Sequence, residues 1–303
     1  MKNVLVIGGT GFLGTAIVRE LARRPVTAEC CFTLPTRRRE RAKHLLVLPT
    51  ARVVDADVHD PATLARLMAG QDAVISLVGI LKGGEGEPYG RGFARAHVEL
   101  PQKIAAAARA AGVRRVLHVS ALKAAADAPS GYLRSKAAGE AALQEAGLDL
   151  TLFRPSVIFG PGDAFLTLFA QLARIAPVFP LAGADAYFQP VWVEDVVAAV
   201  ADSLLRSDSI GAAYDLCGPK QYRLRELVSY AAAVSGHPRA VVGLPEAIAW
   251  LQAWAMEFIP NGPMTRDNVR SMRVPSVCDN GCALPFGRIA TALELVAPTY
   301  LRN

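Results

Sequence analysis

The sequence predicts an α/β protein: a doubly wound parallel sheet with a smaller C-terminal lobe. Three observations carry this. From Asn3 to Phe153, apolar runs rich in β-branched residues alternate with Ala/Leu/Arg-rich helical stretches. The runs lack polar alternation, as strands buried on both faces do. The first run ends in glycines that open directly into a helical stretch. After about residue 154, Pro and Gly become frequent and the apolar runs shorten. The expected division is a nucleotide-binding domain at 1–154 and a smaller lobe at 155–303, with some lobe segments returning to the main sheet. A length of 303 residues suits one large domain with such a lobe.

Strands are expected at Asn3–Gly8, Cys30–Leu34, Arg52–Asp55, Ala73–Val78, Arg114–Ser120 and Leu150–Phe153. Helices are expected near Gly11–Arg23, Arg38–Leu46, Pro61–Met68, Arg95–Ala111 and Tyr132–Ala146. Their ends carry stop and start signals. Gly112 and Gly147 stand just past helical runs, where a left-handed C-cap belongs. Asp60-Pro61 reads as an N-cap followed by Pro at the first helical position. Pro101 marks a kink or a late start. In the lobe, short strands are expected at Val157–Phe159, Phe188–Val191, Ala213–Cys217 and Ala240–Val242. Lobe helices are expected near Val193–Leu205, Arg223–Ser235 and Pro245–Phe258.

Composition narrows the function classes. Hydrophobic residues make up 52% and charged residues 20%, which gives a well-cored globular chain and not a disordered one. The net charge of +6 suits anionic small molecules, an acidic partner or an anionic membrane surface. No nucleic-acid motif accompanies it, so nucleic acid is not expected as a partner. The five cysteines, Cys30, Cys31, Cys217, Cys278 and Cys282, form no CxxC and have no metal-site spacing, so no metal is expected. They read as reduced, buried or incidental thiols of a cytoplasmic protein, with attachment to the inner face of a membrane as a variant of that location. No signal-peptide pattern and no bilayer-length apolar run is found.

The first strand runs into GGTGFLG, with Gly8, Gly11 and Gly14 spaced as GxxGxxG. That spacing serves a tight turn, a close backbone approach to a pyrophosphate, and a close helix-on-strand contact. The helix N-terminus then offers free N–H groups to the anion. In this setting the motif predicts a Rossmann-type dinucleotide site, with Gly8, Thr10, Gly11, Phe12, Leu13 and Gly14 as candidate cofactor contacts.

After the second strand, NAD-binding chains place an acid about twenty residues beyond the glycines. Here the sequence is LPTRRRER, with Thr36, Arg37 and Arg38 in that region and no acid. Basic residues at a helix start oppose the helix dipole, and a 2′-phosphate would relieve the conflict. The alternative is a solvated basic face. The reading adopted is NADP(H) in preference to NAD(H).

These features, with further motifs, mark a family resemblance. The motifs are DADVHD (55–60), LVGI (77–80), HVSAL (118–122), YLRSKAAGE (132–140), FRPSVIFGPGD (153–163) and QPVWVEDVV (189–197). The chain resembles the extended and atypical short-chain dehydrogenase/reductases. Within them it is similar to the nucleotide-binding accessory subunits of respiratory complex I and their bacterial relatives, and to the NAD-dependent epimerase/dehydratases. The resemblance implies that Asp57 and Val58 flank the adenine. It implies that Leu77, Val78 and Gly79 line the ribose and nicotinamide side, and that Pro155, Ser156 and Ile158 lie beside the nicotinamide. Read without it, Asp57 and Asp60 are equally a turn or a helix cap. The chain departs from the family pattern where an Asn of the fourth helix is replaced near His97, which unsettles any proton relay there. His97 reads as a hydrogen-bonded helix residue rather than a catalytic one. Pro35 is also unusual and is expected to shift the Arg37 loop.

Tyr132 and Lys136, at i and i+4, share one helix face. Tyrosine titrates near 10, and a neighbouring ammonium is expected to lower that value and let the pair pass a proton during hydride transfer. Ser120 ends the fifth strand and supplies a hydroxyl at the same sheet edge. With seven Tyr and seven Lys the spacing also arises by chance. Position in the fold, not spacing, makes the pair a candidate. The resemblance implies that Ser120, Tyr132 and Lys136 act together, with Lys136 also holding the nicotinamide ribose.

In the lobe, PEAIAWLQAWAMEFIP (245–260) places Ile248, Leu251, Ala255 and Phe258 at helical spacing, with Trp250 and Trp254 alongside. The expected role is a core helix; a substrate wall, a membrane-surface contact or a partner contact are the alternatives. Arg266, Arg270 and Arg273 are expected to form a solvated basic face. Three functions remain open. The first is an NADP(H)-dependent oxidoreductase on a hydrophobic carbonyl, alcohol or quinone-linked substrate. The second is a non-catalytic nucleotide-holding accessory, assembly or redox-sensing protein of a respiratory complex or quinone synthesis. The third is a sugar-nucleotide epimerase or dehydratase. The cofactor expectation is checked by titrating both nucleotides: NADP(H) is expected to bind more tightly, and tighter binding of NAD(H) overturns it.

Overall fold

The structure is a computed structural model that describes residues 1–259, 262–279, 281 and 283–302. In chain order the nucleotide-binding half comprises β1 (Asn3–Ile7), α1 (Phe12–Arg23), β2 (Cys31–Thr36), β3 (Ala51–Asp55), α2 (Pro61–Met68), β4 (Ala73–Ser76), α3 (Arg91–Phe93), α4 (Leu100–Ala110), β5 (Arg115–Val119), α5 (Gly131–Gln144) and β6 (Asp149–Pro155). The rest comprises β7 (Ile158–Phe159), α6 (Leu166–Ile175), β8 (Val178–Leu181), β9 (Tyr187–Phe188), β10 (Val191–Trp192), α7 (Val193–Leu205), β11 (Ala213–Leu216), β12 (Tyr222–Arg223), α8 (Leu224–Val234), β13 (Ala240–Gly243), α9 (Glu246–Glu257), α10 (Arg266–Ser271), α11 (Leu293–Val296) and α12 (Pro298–Leu301).

Seven strands form one parallel sheet in the order β11-β6-β5-β4-β1-β2-β3. Its strands carry few polar residues because both faces are covered. One face packs on α1 and α7 through Ile17, Val18, Leu21, Val196, Val197 and Val200. The other packs on α2, α4 and α5 through Leu64, Met68, Leu100, Ile104 and Leu143. The chain reverses direction across the sheet between β1 and β4, and the crevice at their carboxyl ends is the place where an open α/β sheet binds ligands. The lobe builds its own core from Phe159, Leu166, Phe179, Leu227, Val228 and Leu293, and three two-stranded ribbons complete it. β11 and α7 return to the main sheet and its α1 face.

Several expectations change. The stretch at 38–46 is a 3-10 segment, Arg39–Leu45, not an α-helix. Pro35 stays inside β2, because pairing with β1 ends at Thr33 and only the β3 side continues past it. The late start expected at Pro101 is found: α4 begins at Leu100 with Pro101 in its first turn, and the residues before it form the short α3 and an unexpected π-turn over Ala94–Glu99. Pro101 has no N–H to offer the His97 carbonyl. That carbonyl faces Gly139 of α5, where a Cβ would overlap it. The expected strand 188–191 is two short strands in different ribbons, parted by Gln189 and Pro190. The α6 and β8 segments went unforeseen.

α9 is not a core helix in the expected sense. Ala249 and Ala253 face inward, whereas Ile248, Leu251 and Phe258 are 52%, 61% and 72% exposed. The small residues allow α9 to lie close to Ala182 and to Val269 of α10. Pro260 lies outside the described residues.

The cysteine expectation fails for one pair. Cys217, after β11, and Cys278 form a disulfide that spans 61 residues. They lie far apart in sequence, so spacing gave no sign of the pair. Cys30 and Cys31 are free thiols, and Cys282 lies outside the described residues. Closing a 61-residue loop stabilises a fold by about 4 kcal/mol in the chain-entropy account. Reductant is therefore expected to lower the melting temperature of the wild-type protein and to leave Cys217→Ser unaffected. Thiol counting that finds the pair reduced in the purified protein overturns the assignment.

Candidate functional site

The glycine loop takes the form that its spacing implies. Gly8 has φ +85°, and a Cβ there would press on Leu77 at 3.2 Å, so the exits of β1 and β4 lie close together. A Cβ at Gly14 would overlap the Gly8 carbonyl, which fixes how closely α1 sits on the loop. No side chain caps α1 at Gly11. The N–H groups of Phe12, Leu13 and Gly14 have no partner within the helix and point to the crevice at its positive end. A groove of ≈ 450 Å³ borders this turn and is lined by Thr10, Gly11, Phe12, Arg19, His44 and Gly162. The glycine turn and its free N–H groups fit a pyrophosphate, whereas the groove also carries Glu20 and Glu194, whose carboxylates oppose an anion.

Thr36 and the arginines follow β2. Thr36 Oγ1 accepts from the Arg38 N–H at 3.2 Å. Arg37 and Arg38 are exposed and form no ion pair among the described residues. Asp57 accepts from the His59 N–H at 3.0 Å and lies 3.7 Å from Arg95, so it shapes the turn after β3. Asp60 caps α2 through Thr63, as its sequence context suggests. Val58 packs beside the α2/α4 core.

The opposite wall carries Ser120, Tyr132 and Lys136. Ser120 follows β5, and its N–H binds the Phe153 carbonyl at 2.7 Å. Its Oγ is buried and has no hydrogen-bond partner. A hydroxyl left this way costs about 1–3 kcal/mol until a partner satisfies it. Lys136 is 4% exposed; its Nζ donates to the Val119 carbonyl at 3.2 Å and stands 3.4 Å from where a Gly79 Cβ would be. The lysine thus lies between Gly79 and the residue before Ser120. Pro155 and Ser156 continue β6 on the same edge, with the Ser156 N–H bound to Leu216 and its Oγ to Ser276. Ile158 begins β7.

The electrostatics run against the expected lowering of the tyrosine. Burial pushes the Tyr132 phenol up to about 12 and pushes Lys136 down to about 8, with Glu140 opposing the lysine shift. In this dry wall the loss of water outweighs the attraction between the two groups. The Tyr132 phenol is therefore held in its neutral form, and more firmly than a free tyrosine.

Three supports of α5 escaped the sequence reading. Asp267 of α10 is buried and accepts from the Gly131 and Tyr132 N–H groups at 2.7 and 3.0 Å, so the lobe caps the helix that carries the pair. Nothing local could have linked residues 131 and 267. Glu140, one turn beyond Lys136, meets Arg154 of β6, whose Nε is 3.0 Å from both of its carboxylate oxygens. An acid at i+4 from the lysine was the readable signal. Finally, Ser135 joins His97 to Tyr132. The basic face expected at 266–273 is instead ion-paired: Arg266 to Glu257, Arg270 to Glu85 and Arg273 to Glu246. Trp250 lies under Arg270, 4.9 Å away. No described helix is long and apolar enough to cross a membrane.

Lys136 supplies a stability test. A lysine whose folded-state pKa is about 8, against a reference value of 10.5, penalises the fold while it is charged. The penalty is full below pH 8 and fades as pH rises to 10.5, where only the unfolded chain still holds the proton. Cofactor-free wild type is expected to gain on the order of 2–3 kcal/mol over that window relative to Lys136→Met. Chemical denaturation across the window checks this, and parallel curves overturn it.

Comparison with known proteins places this geometry. Residues 8–162 match a family model described as NAD(P)H-binding. The chain is 30% identical over 314 residues to the mitochondrial NADH dehydrogenase [ubiquinone] 1 alpha subcomplex subunit 9 of Rattus norvegicus, covering 98% of this chain and 79% of that protein. It is 32% identical over 262 residues to the ceramide reductase of Caulobacter vibrioides, covering 83% and 78%. The fold is shared with the NADPH-dependent quinone oxidoreductase of Escherichia coli complexed with NADPH, at a TM-score of 0.77, 22% identity, and coverage of 99% and 100%. With a family match over half its length and a relative 30% identical across 98% of it, the chain belongs to the NAD(P)H-binding family.

Proposed function

We propose that this protein is an NADPH-dependent reductase of a hydrophobic carbonyl or quinone-linked substrate, with Ser120, Tyr132 and Lys136 as its catalytic group. The observation that carries the reading is an unpartnered buried Ser120 hydroxyl, one residue past the Val119 carbonyl that Lys136 holds, with Tyr132 one turn before that lysine on α5 and kept protonated by burial. A bound NADPH would supply the hydride. Ser120 Oγ–H would donate to the substrate oxygen and polarise the carbonyl. Tyr132 Oη–H would then give its proton to that oxygen as negative charge develops there. Lys136 would hold the nicotinamide ribose and stabilise the phenolate left on Tyr132. A protonated tyrosine favours reduction over alcohol oxidation, which would need the phenolate at the start.

NADPH is preferred on the strength of Thr36, Arg37 and Arg38, which place cations and no acid after β2. The substrate class is supported by relatives named for the reduction of ceramide and of azo compounds, and by the quinone oxidoreductase fold. A second reading has its own support. The match to the complex I subunit runs over 98% of this chain, so a nucleotide-holding accessory of a respiratory assembly uses the same residues as a clamp. On that reading attachment at the inner face of a membrane follows from the partner.

One experiment separates them. The purified protein is loaded with NADPH, and oxidation by quinones and long-chain aldehydes is followed at the nicotinamide absorbance. The enzyme reading expects turnover that falls by at least about a hundredfold in Tyr132→Phe with NADPH affinity kept. Retained NADPH that no acceptor oxidises, in wild type and variant alike, overturns it in favour of the clamp.

A further inference from the structure

His97 stands where a family relay would need a polar side chain, and it is 2% exposed. Its hydrogen bonds can be followed atom by atom. The Ile80 N–H points at Nε2 from 3.0 Å, and a backbone amide can only donate. Nε2 therefore holds a lone pair. Nδ1 lies 2.9 Å from Ser135 Oγ, and Ser135 Oγ–H donates to the Tyr132 carbonyl at 2.7 Å. That hydroxyl has one proton, already committed, so Nδ1 carries the hydrogen and donates to Ser135. The direction is fixed throughout, from the Ile80 N–H to His97, from His97 to Ser135, and from Ser135 to the Tyr132 carbonyl.

We infer that His97 is a positioning residue held as the neutral Nδ1–H tautomer, which ties Ile80, on the Gly79 wall of the crevice, to the first turn of the Tyr132 helix, and that it passes no proton. A relay needs a chain that ends on a group able to lose or take a proton. This one starts at a peptide N–H and ends at a peptide carbonyl. The surroundings hold the imidazole neutral from every side. Phe93 stacks on it at 5.6 Å, the Tyr132 ring meets its edge at 5.6 Å, and Lys136 and His118 both oppose a positive charge. Burial with these two neighbours lowers its pKa to about 2. His118, bound through Nδ1 to Ser76 Oγ, is likewise held down. The π-turn over Ala94–Glu99 brings the His97 ring into reach, and Gly139 lets its backbone sit against α5. The strut therefore sets the distance between the wall that carries Gly79 and the helix that carries Tyr132 and Lys136.

The inference uses the catalytic reading only for its kinetic arm, so its failure can be told from the failure of that reading. Long-range nitrogen NMR on the full chain labelled at histidine, with and without NADPH, is expected to show His97 as the neutral Nδ1–H form at both pH 6 and pH 9. An Nε2–H pattern, or protonation at pH 6, overturns it whether or not the protein turns over. In the kinetic arm, Ser135→Ala is expected to lower kcat roughly ten- to a hundredfold with KM for NADPH and the pH profile unchanged, because only alignment is lost. Ser135→Thr, which keeps the hydroxyl, is expected to restore most of that rate. An unchanged kcat in Ser135→Ala, or the loss of an ionisation from its pH profile, overturns the strut.

Discussion

The seating of α5 is the constraint on which the site depends. A tyrosine and a lysine one turn apart are ordinary; what sets them apart here is how their helix is fixed. Asp267 holds its first two N–H groups, Ser130 caps the third position, Gly139 abuts the His97 carbonyl, and Glu140 pairs with Arg154. These contacts come from the lobe, from the fourth helix and from the sixth strand. No single one decides the geometry, yet together they leave α5 little freedom to slide or roll. Alignment of this kind is worth more to hydride and proton transfer than any one contact is worth to stability.

Fixing the helix in a dry wall has an electrostatic cost that shapes the chemistry. Lys136 and Tyr132 both lose water, and both are driven toward their neutral forms. The same burial keeps the tyrosine protonated and makes it a weaker acid than a free phenol, so proton release there needs a charge developing beside it. A site for reducing carbonyls tolerates this, whereas one for oxidising alcohols would need more help from the lysine. Glu140 favours the charged form of Lys136, while its pairing with Arg154 ties it to the sixth strand.

Much of this was readable from the chain, for physical reasons that differ by element. α2 and α7 appear with the expected bounds because Asp60-Pro61 and a continuous apolar stripe are local signals. The glycine loop was legible because its spacing encodes close contacts within a few residues. The fourth helix was seen but its π-turn was not: Pro101 frees the His97 carbonyl, a local signal, but the close approach of Gly139 to that carbonyl comes from the fold. α9 misled because an apolar helical pattern gives no sense of which side faces in. The disulfide and the Asp267 cap depend on pairings across 61 and 136 residues, which only the fold brings together. The tyrosine shift was misjudged because a neighbouring cation is visible in sequence and the absence of water is not.

The Asp267 cap also bears on how the protein comes into being. Six of the seven strands of the main sheet lie before residue 156, whereas β11 and the α7 helix that covers one face come later. The turn that carries Tyr132 cannot be finished until a residue 136 positions later has been made. At ribosomal speed that is a wait of roughly 7 to 30 seconds. During it the first turn of α5 lacks the carboxylate that holds its N–H groups. The seating of the Tyr132 helix thus waits on the C-terminal part of the chain.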